Sequence, residues 1–347
     1  MAPGGVGQRR RAGAVRRDGF HRAPPLPPLP RDRDRGVTGA GAEGDDDGAR
    51  GGGEAHGCGG SHGSGEAHGG GDGSGVTDWR REFAEEARSE RPDLARLCLL
   101  VGAVADPTVT QADLDLAEIE LDRLAGLVPY GTRGADAWVA ALAELLGRRA
   151  GFQGVTADYQ RLESSLLHEV LRRRRGLPIL LSVVWLEVAR RAGAPVYGLG
   201  LPGHFVVGFG DPAELHLADP FAGGRPMTAT DAELLVASAT GEALDPAMLR
   251  PATAPAIVLR ILNNIRAWAA ARPERSAVAL WAVELSLLLP SHPARLRYER
   301  AELLVQRGDF LTGAAEMEAY ATVMDAVEPS AAETIRQRAK AARARLN

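Results

Sequence analysis

His204 and Asp219 stand at the ends of two neighbouring β-like runs, and residues of these types could work together in nucleophilic catalysis. If the runs form adjacent antiparallel strands, the two side chains lie side by side. A carboxylate in that position orients an imidazole, which can then take a proton from a serine or cysteine nucleophile. A histidine with a purely structural role is the alternative interpretation. The pair therefore predicts a reactive site only if a third residue supplies the nucleophile.

The segment 174–227 contains the elements that would position this pair. A helix is predicted to begin at Gly176-Leu177-Pro178, because proline is tolerated in a first helical turn, and to end near Ala192 before Gly193. Three short β-like runs follow, at Val196–Leu201, His204–Phe209 and Leu215–Ala218. One buried helix followed by an antiparallel meander predicts an α+β fold.

Two stretches carry a resemblance to a known family: ESSLLHEVLRRRRGLPILLSVVWLEVARRAGAPVYGLGLPGHFVVGF and ADPFAGGRPM. They resemble the transglutaminase-like branch of the papain-like fold, and most closely the bacterial SirB-type regulator family. The resemblance covers residues 80–345 and is most specific over 160–227. It implies a papain/transglutaminase-like core with an antiparallel sheet, followed by an all-α, tetratricopeptide-like C-terminal domain.

The resemblance also implies which positions match the family's Cys-His-Asp triad. His204 and Asp219 match the histidine and the aspartate, but the cysteine position holds Pro178, which has no nucleophilic atom. The SirB-type subgroup commonly has this proline. Ser182 is a weak substitute, because it lies one helical turn, about 5.4 Å, further along. A serine in an apolar helix more often bonds the carbonyl four residues earlier.

The residues beside the pair in the two motifs are expected to line the cleft. In the histidine motif these are Pro202, Gly203 and Phe205, and in the aspartate motif Phe221 and Arg225.

The C-terminal third reads as successive helices with short breaks. Ala279 and Ala314 are 35 residues apart, and Pro293 and Pro329 are 36 apart. Both spacings are close to the roughly 34-residue tetratricopeptide period, although a plain helical bundle is the alternative. Helical repeats build concave binding surfaces. We therefore expect an unidentified protein partner to bind there.

Three functions are compatible with these observations. The first is a non-enzymatic interaction or regulatory protein built on a degenerate transglutaminase-like core. The second is a cysteine-independent hydrolase or acyltransferase that uses His204 and Asp219. The third is a purely structural module. The first and second differ in whether a Cys, Ser or Thr side chain lies within hydrogen-bond reach of His204.

Composition limits the remaining function classes. A formal net charge of −4 gives no argument for binding nucleic acid or a membrane surface, and no apolar run is long enough to span a bilayer. The two cysteines, Cys58 and Cys98, form no disulfide framework, and the arginine pairs near the N-terminus precede no apolar signal region. We expect a cytoplasmic protein without cofactor or metal.

Residues 1–75 read as a disordered low-complexity tail, basic at first and then acidic. Alternatives for this tail are a polyproline ligand in PPLPPLP and a metal site at His56, His62, His68 and Cys58. A further alternative is that translation begins at Val76, if this residue is encoded by a GTG codon, so that the tail is not part of the protein. The expected domains are the tail at 1–75, the transglutaminase-like domain with its N-terminal helices at 76–250, and the helical domain at 251–347.

Overall fold

The computed structural model describes residues 78–346. The predictions made for the tail at 1–75, including its alternative metal site and polyproline ligand, lie outside the described residues.

Twelve α-helices and a four-stranded sheet form the described part of the chain. The helices are α1 (Trp79–Ala87), α2 (Leu94–Ala105), α3 (Gln111–Ala125), α4 (Ala135–Leu142), α5 (Leu167–Arg173), α6 (Pro178–Arg191), α7 (Ala229–Thr240), α8 (Ala254–Ala270), α9 (Ser276–Leu288), α10 (Arg295–Gln306), α11 (Phe310–Met324) and α12 (Pro329–Arg343). The strands are β1 (Val196–Leu199), β2 (Val206–Phe209), β3 (His216–Asp219) and β4 (Arg225–Met227). The predicted α+β class, with an antiparallel sheet and a helical C-terminal region, is confirmed.

The sheet is a meander in the order β1-β2-β3-β4, with antiparallel neighbours throughout. The sequence predicted three strands. The fourth, β4, has only three residues and contains Pro226, so its pattern gives no strand signal. Proline is tolerated in this strand because β4 is at the edge of the sheet.

Helix α6 lies at the centre of the main core. Residues from Pro178 to Ala189 are all buried, and the helix ends where Gly193 takes a left-handed φ of +87°. Helices α2, α3, α4, α5 and α8 and strands β1 and β2 pack around it. A helix with apolar residues on all its faces, and only a few polar ones among them, is stable only when it is covered on every side, which explains this central position.

The helical segment that begins at Ala135 changes its hydrogen-bonding pattern halfway. Helix α4 ends at Leu142, and a π-helix continues it over Ala143–Arg149. The wider turn is closed by the Ala150 N–H, which donates to the Leu145 carbonyl at 2.8 Å. Such a change of pitch leaves no trace in apolar spacing, so the sequence could not distinguish it from an ordinary α-helix.

The C-terminal helices divide between two cores. Buried residues of α8 and α9 belong to the same apolar cluster as α6, whereas α10, α11 and α12 share a smaller cluster rich in alanine. Small side chains allow close approach of these last helices. At Gly313, an added Cβ would lie 2.8 Å from the Ala301 carbonyl oxygen of the neighbouring helix. The successive C-terminal helices, joined by short breaks, agree with the sequence prediction.

Gly224 provides a test of how the sheet packs on α6. Its φ is +86°, and an added Cβ would lie 2.1 Å from the buried ring of Trp185. Gly131 has a similar φ of +77°, but nothing lies within 4 Å of its Cβ position. We expect Gly131→Ala to lower the free energy of unfolding by about 1–2 kcal/mol, from backbone strain alone. Gly224→Ala adds overpacking and should cost about 2–5 kcal/mol. Urea unfolding of the two variants tests this; equal losses would contradict the packing argument.

Candidate functional site

The structure brings His204 and Asp219 within hydrogen-bond distance. Nε2 of His204 and Oδ1 of Asp219 are 3.0 Å apart, and the two side chains are only 13% and 9% exposed. Partial burial reduces competition from water and strengthens such a bond. Because Nε2 is taken by the carboxylate, Nδ1 is the nitrogen left to face a third group.

The sequence predicted His204 at the start of a strand, and the structure corrects this: His204 lies in a tight turn before β2. Its N–H donates to the Leu201 carbonyl at 3.2 Å, with Pro202 at the second position of the turn and Gly203 at the third with a φ of +70°. This is the residue pattern of a type II β-turn. The turn delays β2 until Val206, since Pro202-Gly203 cannot continue a strand ladder.

Asp219 is held by the backbone that follows it. It is the last residue of β3, and its Oδ1 accepts N–H groups from Phe221 at 3.0 Å and Ala222 at 3.4 Å. These bonds cap a short 3₁₀ turn at Pro220–Ala222. These backbone bonds therefore orient the carboxylate independently of its bond to the imidazole.

Two glycines let neighbouring segments approach the loop after Asp219. A Cβ at Gly147, in the π-helix, would lie 2.0 Å from the Gly223 carbonyl oxygen. A Cβ at Gly154 would lie 1.9 Å from the Phe221 ring, and the Gly154 N–H donates to the Phe221 carbonyl at 3.0 Å. Both positions are restricted to glycine by contact rather than by φ.

An aromatic wall borders the pair. The ring of Phe221 lies edge-on to His204, with 6.1 Å between centroids, and edge-on to Tyr159, at 6.0 Å. Burial, and next the charge of Asp219, raise the pKa of Tyr159. No sequence pattern pointed to Tyr159, which comes from a short 3₁₀ segment ahead of α5.

Pro178, which was expected to match the family's nucleophile, is the buried first residue of α6. Ser182 is fully buried, and its hydroxyl donates to the Phe205 carbonyl at 3.2 Å instead of to its own helix. Within residues 78–346, no Ser, Thr or Cys side chain hydrogen-bonds to a ring nitrogen of His204. The bond of Ser182 fixes α6 against the residue that follows the histidine and leads into β2.

The residues expected to line the cleft have different surroundings. Phe221 is half-buried beside the histidine, while Pro202 is half-buried and Gly203 exposed in the turn. Phe205 is 1% exposed, so its side chain packs inside the protein. Arg225 is exposed and opposes the last residue of β3 in the ladder.

Two further polar residues near these elements were missed by the sequence reasoning. The carbonyl of the buried Ser164 accepts the Leu177 N–H at 2.9 Å, which ties the 3₁₀ segment before α5 to the start of α6. Arg260 of α8 donates to the carbonyls of Leu201 and His204. Neither contact has a signature in the spacing of residues, because each joins segments that are distant in the chain.

Three other features bear on function in the described residues: a reactive thiol, a metal site and a membrane-spanning helix. Cys98 is a free, buried thiol whose pKa is raised by burial and, to a lesser extent, by the charges of Glu187 and Asp93. No cluster of His, Cys, Asp and Glu in residues 78–346 could hold a metal ion. No helix in this range is both long and apolar enough to cross a membrane.

The geometry of the pair predicts the tautomer of His204. An ionised carboxylate can only accept, so the neutral ring must carry its proton on Nε2. Long-range ¹H–¹⁵N spectra of the neutral ring should show that tautomer, and Asp219→Asn should disturb it. Asp136→Asn is the matched control, since Asp136 bonds His216 at 2.8 Å and not His204. A neutral ring that carries its proton on Nδ1 and not on Nε2 in the unmodified protein would contradict the assignment.

Two family profiles match the chain in succession. The profile of the transglutaminase-like superfamily matches residues 115–263, a range that contains α6, the sheet and the His204–Asp219 pair. The tetratricopeptide repeat profile matches residues 265–347.

Individual relatives cover parts of the chain. It is 36% identical to a UPF0162 protein of Xylella fastidiosa over 167 residues, which are 46% of this chain and 58% of that protein. It is 29% identical to a UPF0162 protein of Vibrio cholerae over 193 residues, 54% of this chain and 71% of that protein. Human F-box only protein 21 is 27% identical over 122 residues, 33% of this chain and 19% of that protein. The chain thus spans little more than half of the Xylella relative. Taken with the described fold, these matches show a transglutaminase-like domain followed by tetratricopeptide-repeat helices.

Proposed function

We propose that this chain is a non-enzymatic interaction protein of the SirB-type regulator family, in which a disarmed transglutaminase-like core supports a partner-binding helical region. The observation that carries the proposal is the intact His204–Asp219 bond beside a helix that begins with Pro178 in place of a nucleophile. Cysteine-type acyl transfer requires a thiolate next to the imidazole. Without one, the pair can shape a cleft but cannot form an acyl intermediate.

A cysteine-independent hydrolase or acyltransferase is the alternative. It would need a hydroxyl group that His204 can activate, and the hydroxyl considered for this role, that of Ser182, is buried and bonded to a backbone carbonyl. The non-enzymatic function is therefore favoured. We place it in the cytoplasm, in keeping with the free thiol of Cys98.

A cleft of about 600 Å³ in the helical region is the proposed partner site. Helix α1 forms one wall, and helices α9, α10 and α11 form the rest. Charged or titratable side chains and apolar side chains both line it: Arg80, Arg81, Arg297, Arg300, Asp78, Glu284, Glu316 and His292, with Leu287, Leu288, Tyr320 and Val323.

The charges of the cleft favour a partner that carries carboxylates. Glu284 pairs with Arg80 and, at 3.1 Å, with Arg300, which also pairs with Glu316. Arg297 makes no ion pair with any residue in 78–346. The two glutamates are thus satisfied internally while an arginine remains available. We propose that the partner inserts an apolar side chain beside an acidic group.

Restoring the missing thiol tests the disarmed core. Pro178→Cys in a Cys58→Ser background leaves Cys98 as the only other thiol. A thiol at a helix N-terminus beside an imidazole should have a pKa below its usual value of about 8.5. We expect the introduced thiol to react with iodoacetamide much faster than the buried Cys98, across a pH series.

The control adds His204→Ala to the same variant, which should raise the thiol pKa and slow the reaction. An unperturbed pKa in Pro178→Cys would show that the triad positions do not converge. Acyl-substrate turnover by the unmodified protein that is lost in His204→Ala would instead establish the enzymatic alternative.

A pair of valines tests the partner cleft. Val323 lines it and is 54% exposed, whereas Val327 is 72% exposed and does not line it. A buried carboxylate placed in an apolar contact is strongly unfavourable, but one at the surface is not. Partners captured by the full chain from its native host should lose at least about tenfold in affinity, some 1.4 kcal/mol, with Val323→Asp and keep it with Val327→Asp. Equal binding by both variants would exclude this cleft.

A further inference from the structure

Arg260 reaches from α8 to the turn that carries His204. Its Nη2 donates to the His204 carbonyl at 2.7 Å and also to the Leu201 carbonyl. These are the last and first residues of the β-turn. The turn is therefore held from outside by a side chain that lies 56 residues after His204 in the chain.

The guanidinium that makes this contact is a half-buried charge. Arg260 makes no ion pair with a carboxylate in the described residues, and its guanidinium lies over the ring of Phe205, with 5.7 Å to the centroid. Burial lowers its pKa. Taking a charge out of water with only carbonyls and an aromatic face as partners is unfavourable unless those bonds are well formed. Helix α8 does not need this charge to pack, since Ile257, Ile261 and Ile265 already bury its apolar face.

Neighbouring backbone makes room for the guanidinium. A Cβ at Gly200 would lie 2.8 Å from Nη1 of Arg260, so a side chain there would push the guanidinium aside. The segment entering α8 is also joined to the sheet, because the Ala252 N–H donates to the Gly198 carbonyl at 2.9 Å. Two separate contacts thus join these parts of the chain. Strand β1 is bonded to the segment that leads into α8, and the loop after β1 is bonded to α8 itself.

We propose that Arg260 is a positioning residue for His204: by bonding both ends of the turn, it holds the imidazole where Asp219 can bind it. This inference deepens the proposed function and rests on the cleft being a preserved triad site. Asp219 fixes the side chain of His204, while Arg260 fixes its backbone. The consequence is that the geometry of the cleft depends on α8, the helix that leads into the repeats.

Arg260→Met tests the proposal, with Arg266→Met as the matched control. Arg266 lies on the same helix and makes a two-point ion pair with Glu299, at 2.9 and 2.8 Å, away from the turn. In the Pro178→Cys, Cys58→Ser background, Arg260→Met should raise the thiol pKa, read from the pH dependence of the iodoacetamide rate, by about one unit; this lowers the rate about tenfold at a pH where the thiol is mostly protonated. Arg266→Met should leave the rate unchanged. Arg260→Lys should restore part of it, because an ammonium can donate to both carbonyls.

The imidazole signals of His204 in long-range ¹H–¹⁵N spectra separate this inference from the proposed function. They should shift with Arg260→Met in the chain that retains Pro178, whether or not the thiol of the Pro178→Cys variant is activated. If Arg260→Met does not fold, Gly200→Ala serves instead: it displaces the guanidinium without removing it and should shift the same signals. A folded Arg260→Met or Gly200→Ala variant with unchanged His204 signals would overturn the proposal. A normal thiol pKa in Pro178→Cys, together with shifted signals in Arg260→Met, would reject only the triad.

Discussion

Twelve consecutive residues of helix α6, from Pro178 to Ala189, are buried, so this part of the helix has no face left for water. The constraint acts on every element around it, since helices and strands must cover it on all sides to recover the free energy of burying its apolar surface. Strands β1 and β2 cover one side and helices from both halves of the chain cover the others. The sheet that carries the candidate site is therefore positioned by α6.

The few polar groups on α6 determine how it sits in this core. Near its start, the Ser182 hydroxyl bonds the Phe205 carbonyl, which sets the distance between the helix and the start of β2. Near its end, Glu187 is 1% exposed and bonded to Arg190 at 2.6 Å. Burial raises the pKa of Glu187, so this bond matters for keeping the carboxylate charged. Arg191 extends the same network to Asp122 of α3 at 2.5 Å. These bonds fix the position of α6 relative to its neighbours, because apolar packing alone is not directional.

The candidate site combines local and distant constraints. Asp219 is oriented by the N–H groups just after it, and the turn before β2 sets the backbone of His204. Arg260 then bonds that turn from a helix that follows the whole sheet in sequence. The pair is thus oriented through the side chain of Asp219 and through the backbone on both sides of His204. The same helix, α8, shares its apolar core with α9, which forms one wall of the proposed partner cleft.

Local residue chemistry was sufficient to predict much of this architecture. Pro178 begins α6, because the N–H that proline lacks is not used in the first turn. Gly193 follows the end of the helix, because glycine accepts a left-handed φ. The third β-like run was predicted to end at Ala218, one residue before β3 ends at Asp219. The three-residue strand β4 and the π-helix were not predictable, since neither has enough residues to establish a period. The bond from Ser182 to Phe205 and the reach of Arg260 to the turn depend on which segments meet in space. Only the tertiary structure decides such contacts, because a polar side chain on a helix has the same sequence pattern whether it faces solvent or a distant carbonyl.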